Sequence, residues 1–275
     1  NANVAVGKDA LKANTTADNN TAVGIDALTA NTTGHSNVAI GANALLTSTT
    51  RLGNTAVGFN AAKVTDTTGI VAVGYKAMEA NTTGYDAVAV GASSLLANTT
   101  GHSNTAVGFS ALAANTTGAD NTAVGNSALL ANTTGTRNTV VGVDSSNQIT
   151  SGSDNTAMGF DALTRCTTGV SNTCIGKDAG DNITNGGYNT CLGIDSGTNI
   201  TQGSAHVMVG DSTTASAENS QNEIVIGVGI AGVGSNSFTF GKASNRVSND
   251  FDTNASWTRS SDINKKTNIE NTDLG

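Results

Sequence analysis

The sequence contains no proline, and aromatic and charged residues make up only 4% and 12% of its 275 residues. Proline would remove a backbone donor from a strand ladder, so its absence suits a chain built of paired strands. The few large apolar side chains exclude a conventional globular core, whereas the low charge argues against intrinsic disorder. The chain is instead rich in asparagine, threonine, alanine and glycine, with 33 glycines.

Charge and hydropathy exclude two classes of partner. The net charge is −8, and the lysine and arginine residues are scattered, so we expect no nucleic-acid surface. No apolar run reaches the length of a membrane span, so we expect no membrane insertion. The first residues, NANVAVG, read as part of a repeat and form no secretory signal, so we expect a fragment or a processed chain.

One glycine recurs with a nearly constant spacing. Fourteen glycines are separated by thirteen intervals, of which twelve are seventeen residues and one, Gly58 to Gly74, is sixteen. A fifteenth, Gly241, follows Gly227 by fourteen residues. A period this short and this strict predicts a solenoid. The anchors are Gly7, Gly24, Gly41, Gly58, Gly74, Gly91, Gly108, Gly125, Gly142, Gly159, Gly176, Gly193, Gly210 and Gly227.

The repeat predicts strands rather than helices, because seventeen residues cannot hold two helices and their turns. Val-Ala-Val, Val-Ala-Ile or Thr-Ala-Val precedes most of the anchors, which is the alternation of a strand. A leucine segment then predicts a short second strand, and Asn-Thr-Thr-Gly predicts the closing turn. Stacked coils about 4.8 Å apart would form a rod of roughly 70 Å. Asparagine columns predict amide ladders; they are Asn20, Asn37 and Asn54, and Asn98, Asn115 and Asn132.

Two sizeable apolar side chains per coil leave a single coil marginal against its ordering entropy. The alanine column beside the valines would be flat and closely approachable, so we expect it to be buried by further copies of the chain. The partners predicted on this ground are identical chains in a homo-oligomer.

Polar chemistry is sparse. His35 and His102 occupy the same turn position four coils apart, so we expect no metal site and no cofactor. Cys174 and Cys191 lie on adjacent coils; a disulfide is conceivable there, and two small buried side chains are the simpler interpretation. The Asn-Thr-Thr sequences match glycosylation sequons, but in so regular a repeat they are more simply the turn.

The strand motif resembles that of a known family. Asn-Val-Ala-Ile-Gly at 37–41 is similar to the repeat of YadA-like heads in trimeric autotransporter adhesins. That resemblance covers about five residues per coil. The repeat itself predicts an all-β, parallel β-solenoid of seventeen-residue coils, a longer period than that of the adhesin repeat, and the resemblance implies that it is a left-handed β-roll with three chains side by side.

The C-terminal residues resemble a second family. SSDINKKTNI is similar to the start of the intramolecular chaperone auto-processing domain of endosialidase-type phage tailspikes and tail fibres, matching at Ser261, Asp262, Lys266 and Ile269. The resemblance implies one self-cleavage before Ser261, with Lys266 as its base and Asp262 positioning the site. No other enzymatic activity is expected. An ordinary polar tail is the alternative.

Together these patterns predict a β-roll shaft or head over 1–241, a connector over 242–260 and the start of a chaperone domain over 261–275. The predicted function is a structural and adhesive module of a phage tail fibre, located in the virion: a rigid homotrimeric rod with two identical partner chains that displays a surface for a host glycan or protein. The alternative is a bacterial trimeric adhesin head at the cell surface. The receptor-binding candidates, all variable turn residues, are Phe59, Tyr75, Tyr85 and Phe160.

A threonine column suggests a remote third function. Thr32, Thr99 and Thr116 recur in register, and flat threonine ladders on β-solenoids bind ice. Ice-binding faces present two outward threonine ranks, whereas Thr32 and the adjacent Thr33 would point to opposite sides of a strand. Ice binding is therefore the weakest of the three hypotheses.

Overall fold

The computed structural model describes residues 2–253 and 258–260, and these residues form strands and turns with no helix. Thirteen strands of three residues are followed by three longer strands and a last strand of three residues. The strands are β1 (Val4–Val6), β2 (Thr21–Val23), β3 (Val38–Ile40), β4 (Thr55–Val57), β5 (Val71–Val73), β6 (Val88–Val90), β7 (Thr105–Val107), β8 (Thr122–Val124), β9 (Thr139–Val141), β10 (Thr156–Met158), β11 (Thr173–Ile175), β12 (Thr190–Leu192), β13 (Val207–Val209), β14 (Ile224–Val228), β15 (Ser237–Lys242), β16 (Asn245–Asp250) and β17 (Thr258–Ser260).

The strands form one parallel sheet in chain order, because each strand from β1 to β14 pairs in parallel with the next. Equivalent repeat positions face each other, as Ala106 and Ala123 do. The predicted parallel β-solenoid with coils of about seventeen residues is confirmed. At 4.8 Å per step the stack is roughly 70 Å long.

The two irregular spacings keep this register. Thr55 pairs with Val71 across the sixteen-residue coil, so the missing residue is absorbed in the turn. Gly227 pairs with Gly241 across the fourteen-residue coil. Strand direction then reverses, since β16 is antiparallel to β15 and β17 is antiparallel to β16. The C-terminal end of the parallel stack is thus covered by antiparallel strands drawn from the predicted connector.

The anchor glycine marks the place where successive coils approach most closely. Gly24 has φ +136°, and a Cβ there would lie 2.6 Å from the carbonyl oxygen of Gly41. Such a contact is too short for any side chain, which explains why the anchor is glycine.

The prediction of a second strand in each coil is wrong. The leucine segment is a series of turns in which Asp26 and Leu28 have φ 56° and 51°. The amide of Asp26 donates to the preceding coil, at Lys8, and that of Leu28 donates to the next, at Ala44. These bonds join the coils without extended backbone. The turn conformation also explains why aspartate, asparagine and serine are frequent at the first position, since these residues enter the left-handed region most readily.

The core is a narrow stack to which a regular coil contributes two alanines, one leucine and two asparagines. Ala106, Leu112 and Asn115 are all fully buried. Some coils fill the same core space with a different set of side chains. Where the leucine position holds Gly180, the alanine position holds Cys174. A Cβ on Gly180 would lie 2.6 Å from the Sγ atom of Cys174, so the cysteine occupies the space that leucine fills elsewhere.

Candidate functional site

The alternation along each strand puts alanine inside the coil and its two neighbours outside. Ala106 is fully buried within the single chain, while Thr105 and Val107 are partly exposed. The expectation that the alanine column needs partner chains for its burial is therefore wrong. The coil interior already holds one leucine, a second alanine and two asparagines, which leaves room for only a small side chain on the strand.

The residues after the buried alanine form a continuous outward column, named here the apolar stripe. Its exposed fractions include 36% at Val90, 41% at Ile226 and 42% at Phe240. A row of apolar side chains along the whole stack is unusual for the surface of a monomer. The apolar stripe consists of Val6, Val23, Ile40, Val57, Val73, Val90, Val107, Val124, Val141, Met158, Ile175, Leu192, Val209, Ile226 and Phe240.

A second outward column, named here the corner column, holds the residue that follows each anchor glycine from Gly7 to Gly193. It contains Phe59, Tyr75 and Phe160, which are 45%, 54% and 49% exposed. The rings of Phe59 and Tyr75 stack, with centroids 5.6 Å apart and planes 13° apart. Phe160 lies six coils further along the stack from Phe59.

A polar network borders the stacked pair. The Nζ atom of Lys76 lies 5.7 Å from the Tyr75 ring centroid and 3.3 Å from a carboxylate oxygen of Glu79. The other Glu79 oxygen accepts a hydrogen bond from the Asn60 amide at 2.6 Å, and the Asn60 side-chain oxygen accepts one from Asn43 at 2.9 Å. This site combines two exposed aromatic rings, amides and an ion pair over three coils.

The four predicted aromatic residues do not converge on one site. Tyr85, 45% exposed, lies in a different turn and stacks on His102, with ring centroids 4.9 Å apart. Sequence reasoning missed Phe109 and Tyr188, which are 58% and 67% exposed. Phe109 belongs to the corner column, so its place in the repeat was a usable signal. The exposed aromatics are thus distributed along the rod.

The histidines occupy two different environments. The Nδ1 atoms of His35 and His102 each lie 3.3 Å from the hydroxyl oxygen of the next serine. His206 is fully buried at an asparagine position of the repeat. Within the part of the chain that the structure describes, no group of three histidine, cysteine, aspartate or glutamate side chains is arranged to hold a metal ion.

Aspartates recur on four adjacent coils in one turn column. Burial raises the pKa of Asp161, and the carboxylates of Asp178 and Asp144 raise it further. Lys177 opposes this shift and pairs with Asp178 at 2.5 Å. The column is therefore a row of mutually repelling surface charges with one compensating cation.

The cysteines are buried free thiols. Cys174 and Cys191 face each other on adjacent strands, both fully buried. The interpretation as small buried side chains is confirmed. The contact with Cys191 and burial raise the pKa of Cys174, and burial raises the pKa of Cys166 to about 11. Cys166 and Cys174 are consequently poor nucleophiles near neutral pH.

The turn asparagines and threonines are used within the fold. Asn98 and Asn115 are fully buried, and the Asn115 amide donates to the side-chain oxygen of Asn98 at 2.8 Å. The predicted amide ladder is confirmed, and these sequon asparagines are inaccessible in the folded chain. In the threonine column, the Thr99 hydroxyl donates to the carbonyl of Thr116 at 2.9 Å. The threonines belong to turns rather than strands, and several of their hydroxyls point along the stack.

The predicted self-cleavage residues Ser261, Asp262 and Lys266 lie outside the described residues. The described part of the chain ends with β17 at Ser260. The proposed scissile bond therefore directly follows this strand in the sequence.

The comparisons with known proteins return no match: no family model fits the chain, and no curated protein or solved structure is significantly similar to it. The described residues include no helix long and apolar enough to cross a bilayer. The class that the structure defines is an all-β repeat protein with a parallel β-solenoid.

Proposed function

We propose that this chain is a structural and adhesive module of a phage tail fibre, a rigid homotrimeric rod that displays a surface for a host glycan or protein. The observation that carries the proposal is the combination of a stack roughly 70 Å long with apolar and aromatic columns along its outside. A bacterial trimeric adhesin head is the second candidate, because the same array would serve it equally well.

Rigidity follows from the hydrogen bonds between coils. The Asn138 side chain donates to the carbonyl of Gly152 at 2.9 Å, and its own oxygen accepts the Asn155 amide at 3.0 Å. Each asparagine of this ladder thus ties its coil to the next one. A stack in which every coil is bonded to its neighbours resists bending, as a shaft must.

Association of three chains is supported by the apolar stripe. The strand face that carries the stripe is roughly 70 Å long and about 10 Å wide, the length of three extended residues, and covers about 700 Å². Stable interfaces bury about 600–1,000 Å² per partner, so this face has the size needed to hold a second copy of the rod. Identical chains fit best, because their stripes share one length and one coil spacing.

Receptor binding is assigned to the corner column around Phe59 and Tyr75. Exposed aromatic rings beside amide and carboxylate groups match the apolar faces and hydroxyls of a sugar, and they equally suit a protein surface. This assignment places adhesion on the column that follows the apolar stripe by two residues in each coil, as Phe59 follows Val57.

Light scattering tests the oligomer. We expect a mass three times the 27.3 kDa of one chain. The double variant Val107→Asp/Val124→Asp places charges in the stripe and should yield monomers. Thr117→Asp/Thr134→Asp adds the same charges to exposed turns of adjacent coils and should stay trimeric. A wild-type mass equal to one chain would contradict the proposal.

Adhesion has a separate test. Fluorescently labelled rods are incubated with a panel of bacterial cells, and Phe59→Ala/Tyr75→Ala should reduce binding by tenfold or more. Tyr188→Ala is the matched control, since that ring is exposed outside the corner column. Electron microscopy with antibodies against the rod then separates the two candidates, because label on virion tails supports the fibre and label on bacterial envelopes supports the adhesin head.

A further inference from the structure

One buried ladder of asparagines, with one residue or rung per coil, runs beside the strands and ends in a histidine. It continues through Asn155, Asn172 and Asn189 to His206, and Glu223 occupies the same position in the next coil. The His206 backbone amide donates to the side-chain oxygen of Asn189 at 3.1 Å, as an asparagine at this position does. Both His206 and Glu223 are fully buried.

The imidazole ring of His206 reproduces both hydrogen bonds of an asparagine side chain. Asn172 accepts the amide of Asn189 on its side-chain oxygen, and its side-chain nitrogen donates to the carbonyl of Gly186. In His206 the Nδ1 atom lies 3.3 Å from the Glu223 amide, and Nε2 lies 2.8 Å from the carbonyl oxygen of Ser220. These partners require a lone pair on Nδ1 and a proton on Nε2, which is the neutral ring.

We propose that His206 is a proton-sensitive rung, and that its protonation opens the solenoid between β13 and β14 at mildly acidic pH. A second proton on the ring would sit on Nδ1 and face the amide hydrogen of Glu223, so an acceptor would become a donor opposite a donor. The asparagine rungs do not titrate and remain paired.

The surrounding groups offer no acceptor for a proton on Nδ1 of the protonated ring. From the preceding coil, Asn189 and Gly203 face His206 without charge, and Ser220 presents a carbonyl oxygen. From the next coil the charged group is Glu223. Its carboxylate already accepts from the backbone of Ser216 at 3.0 and 3.2 Å and from the hydroxyl of Ser216 at 2.5 Å, and it is the Glu223 backbone amide that faces the ring.

The direction of the pKa shift agrees with this arrangement. Burial lowers the pKa of His206 below its ordinary value of 6.5, although the hydrogen bonds and the charge of Glu223 oppose the shift. The folded chain therefore binds fewer protons at this site than the unfolded chain. The stabilisation is fully present above pH 6.5 and is lost as the pH falls to the lower folded-state value.

Hydrogen exchange measured by mass spectrometry locates the opening. After correction for the intrinsic exchange rate, protection of a peptide covering 204–224 should fall at least tenfold between pH 7.5 and pH 5. A peptide covering 136–158, which contains Asn138 and Asn155, should keep its protection and serves as the internal reference.

His206→Asn is the decisive variant, because it restores the residue found at the preceding rungs. We expect it to keep the 204–224 segment protected at pH 5, whereas the control His35→Asn, a turn histidine, should behave like the wild type. Equal loss of protection in the wild type and in His206→Asn would overturn the proposal. So would a wild-type chain whose two peptides lose protection together. The second outcome is read in the wild type alone, so it tests the proposal even if a variant folds poorly.

Discussion

The side-chain oxygen of Asn121 accepts two hydrogen bonds from Asn138, one from the backbone amide at 3.0 Å and one from the side-chain amide at 3.1 Å. Both residues are fully buried. A polar side chain is tolerated in this core because each of its groups finds a partner in the coil above or below. The ladder is therefore a structural element as definite as the strands.

Replacing one rung should be costly. Asn138→Ala leaves the Asn155 amide and the Gly152 carbonyl without their side-chain partners, at about 1–3 kcal/mol for each buried group. Urea unfolding followed by circular dichroism measures the loss. The exposed Asn126→Ala is the matched control and should change stability by less than about 0.5 kcal/mol. Equal effects of the two substitutions would show that the ladder does not stabilise the stack.

Because Cys174 fills the space that leucine fills in other coils, a leucine at position 180 should be tolerated only when its neighbours are replaced as well. Gly180→Leu alone should destabilise the chain by about 1–3 kcal/mol through overpacking, because its side chain meets Cys174 and Ile183. Its backbone needs no change, since Gly180 has φ 61° and Leu163 adopts 54° at the same position of the preceding coil.

Adding Cys174→Ala and Ile183→Cys to that substitution copies the core of the preceding coil and should restore most of the loss. Thermal unfolding of the single and triple variants measures the coupling. Additive destabilisation in the triple variant would contradict the exchange.

Whole coils should be removable. Deleting 104–120 takes out one seventeen-residue unit and leaves every column in register, so we expect a melting temperature within a few degrees of the parent. Deleting the eight residues 113–120 moves turn residues into strand positions and should abolish cooperative unfolding. Similar melting curves for the two deletions would refute the stacked-column account of stability.

The self-cleavage hypothesis concerns residues beyond the described part of the chain. A precursor that carries the complete chaperone domain should break between Ser260 and Ser261. Ser261→Ala removes the nucleophile and Lys266→Ala removes its base, so each variant should stay uncut. Mass spectrometry of the purified protein gives the answer. An intact wild-type precursor, or cleavage that persists in Ser261→Ala, would contradict the self-cleavage hypothesis.

The architecture was readable from the sequence because stacking places like residues over like. The spacing of the anchors Gly7 and Gly24 alone gives the coil length, and three-residue alternation gives the strands. The turns were less accessible. Leucine at a position with positive φ contradicts its ordinary preference. The signal lay in the absence of β-branched residues from the columns of Asp26 and Leu28 as far as Asp195 and Gly197, because such residues would be strained there.

The direction in which each strand faces was decided only by the tertiary structure. Alternation states that Ala106 and Val107 point to opposite sides, but it does not say which side is inside. In the coil of Ala106 the interior already contains Leu112 and Asn115, so only a small side chain fits there, and Val107 is left outside. The same holds for His206. Its place in the repeat was visible in the sequence. Only the folded stack brings its ring nitrogens against the Glu223 amide and the Ser220 carbonyl, so that the protonation state of the ring affects the contact between coils.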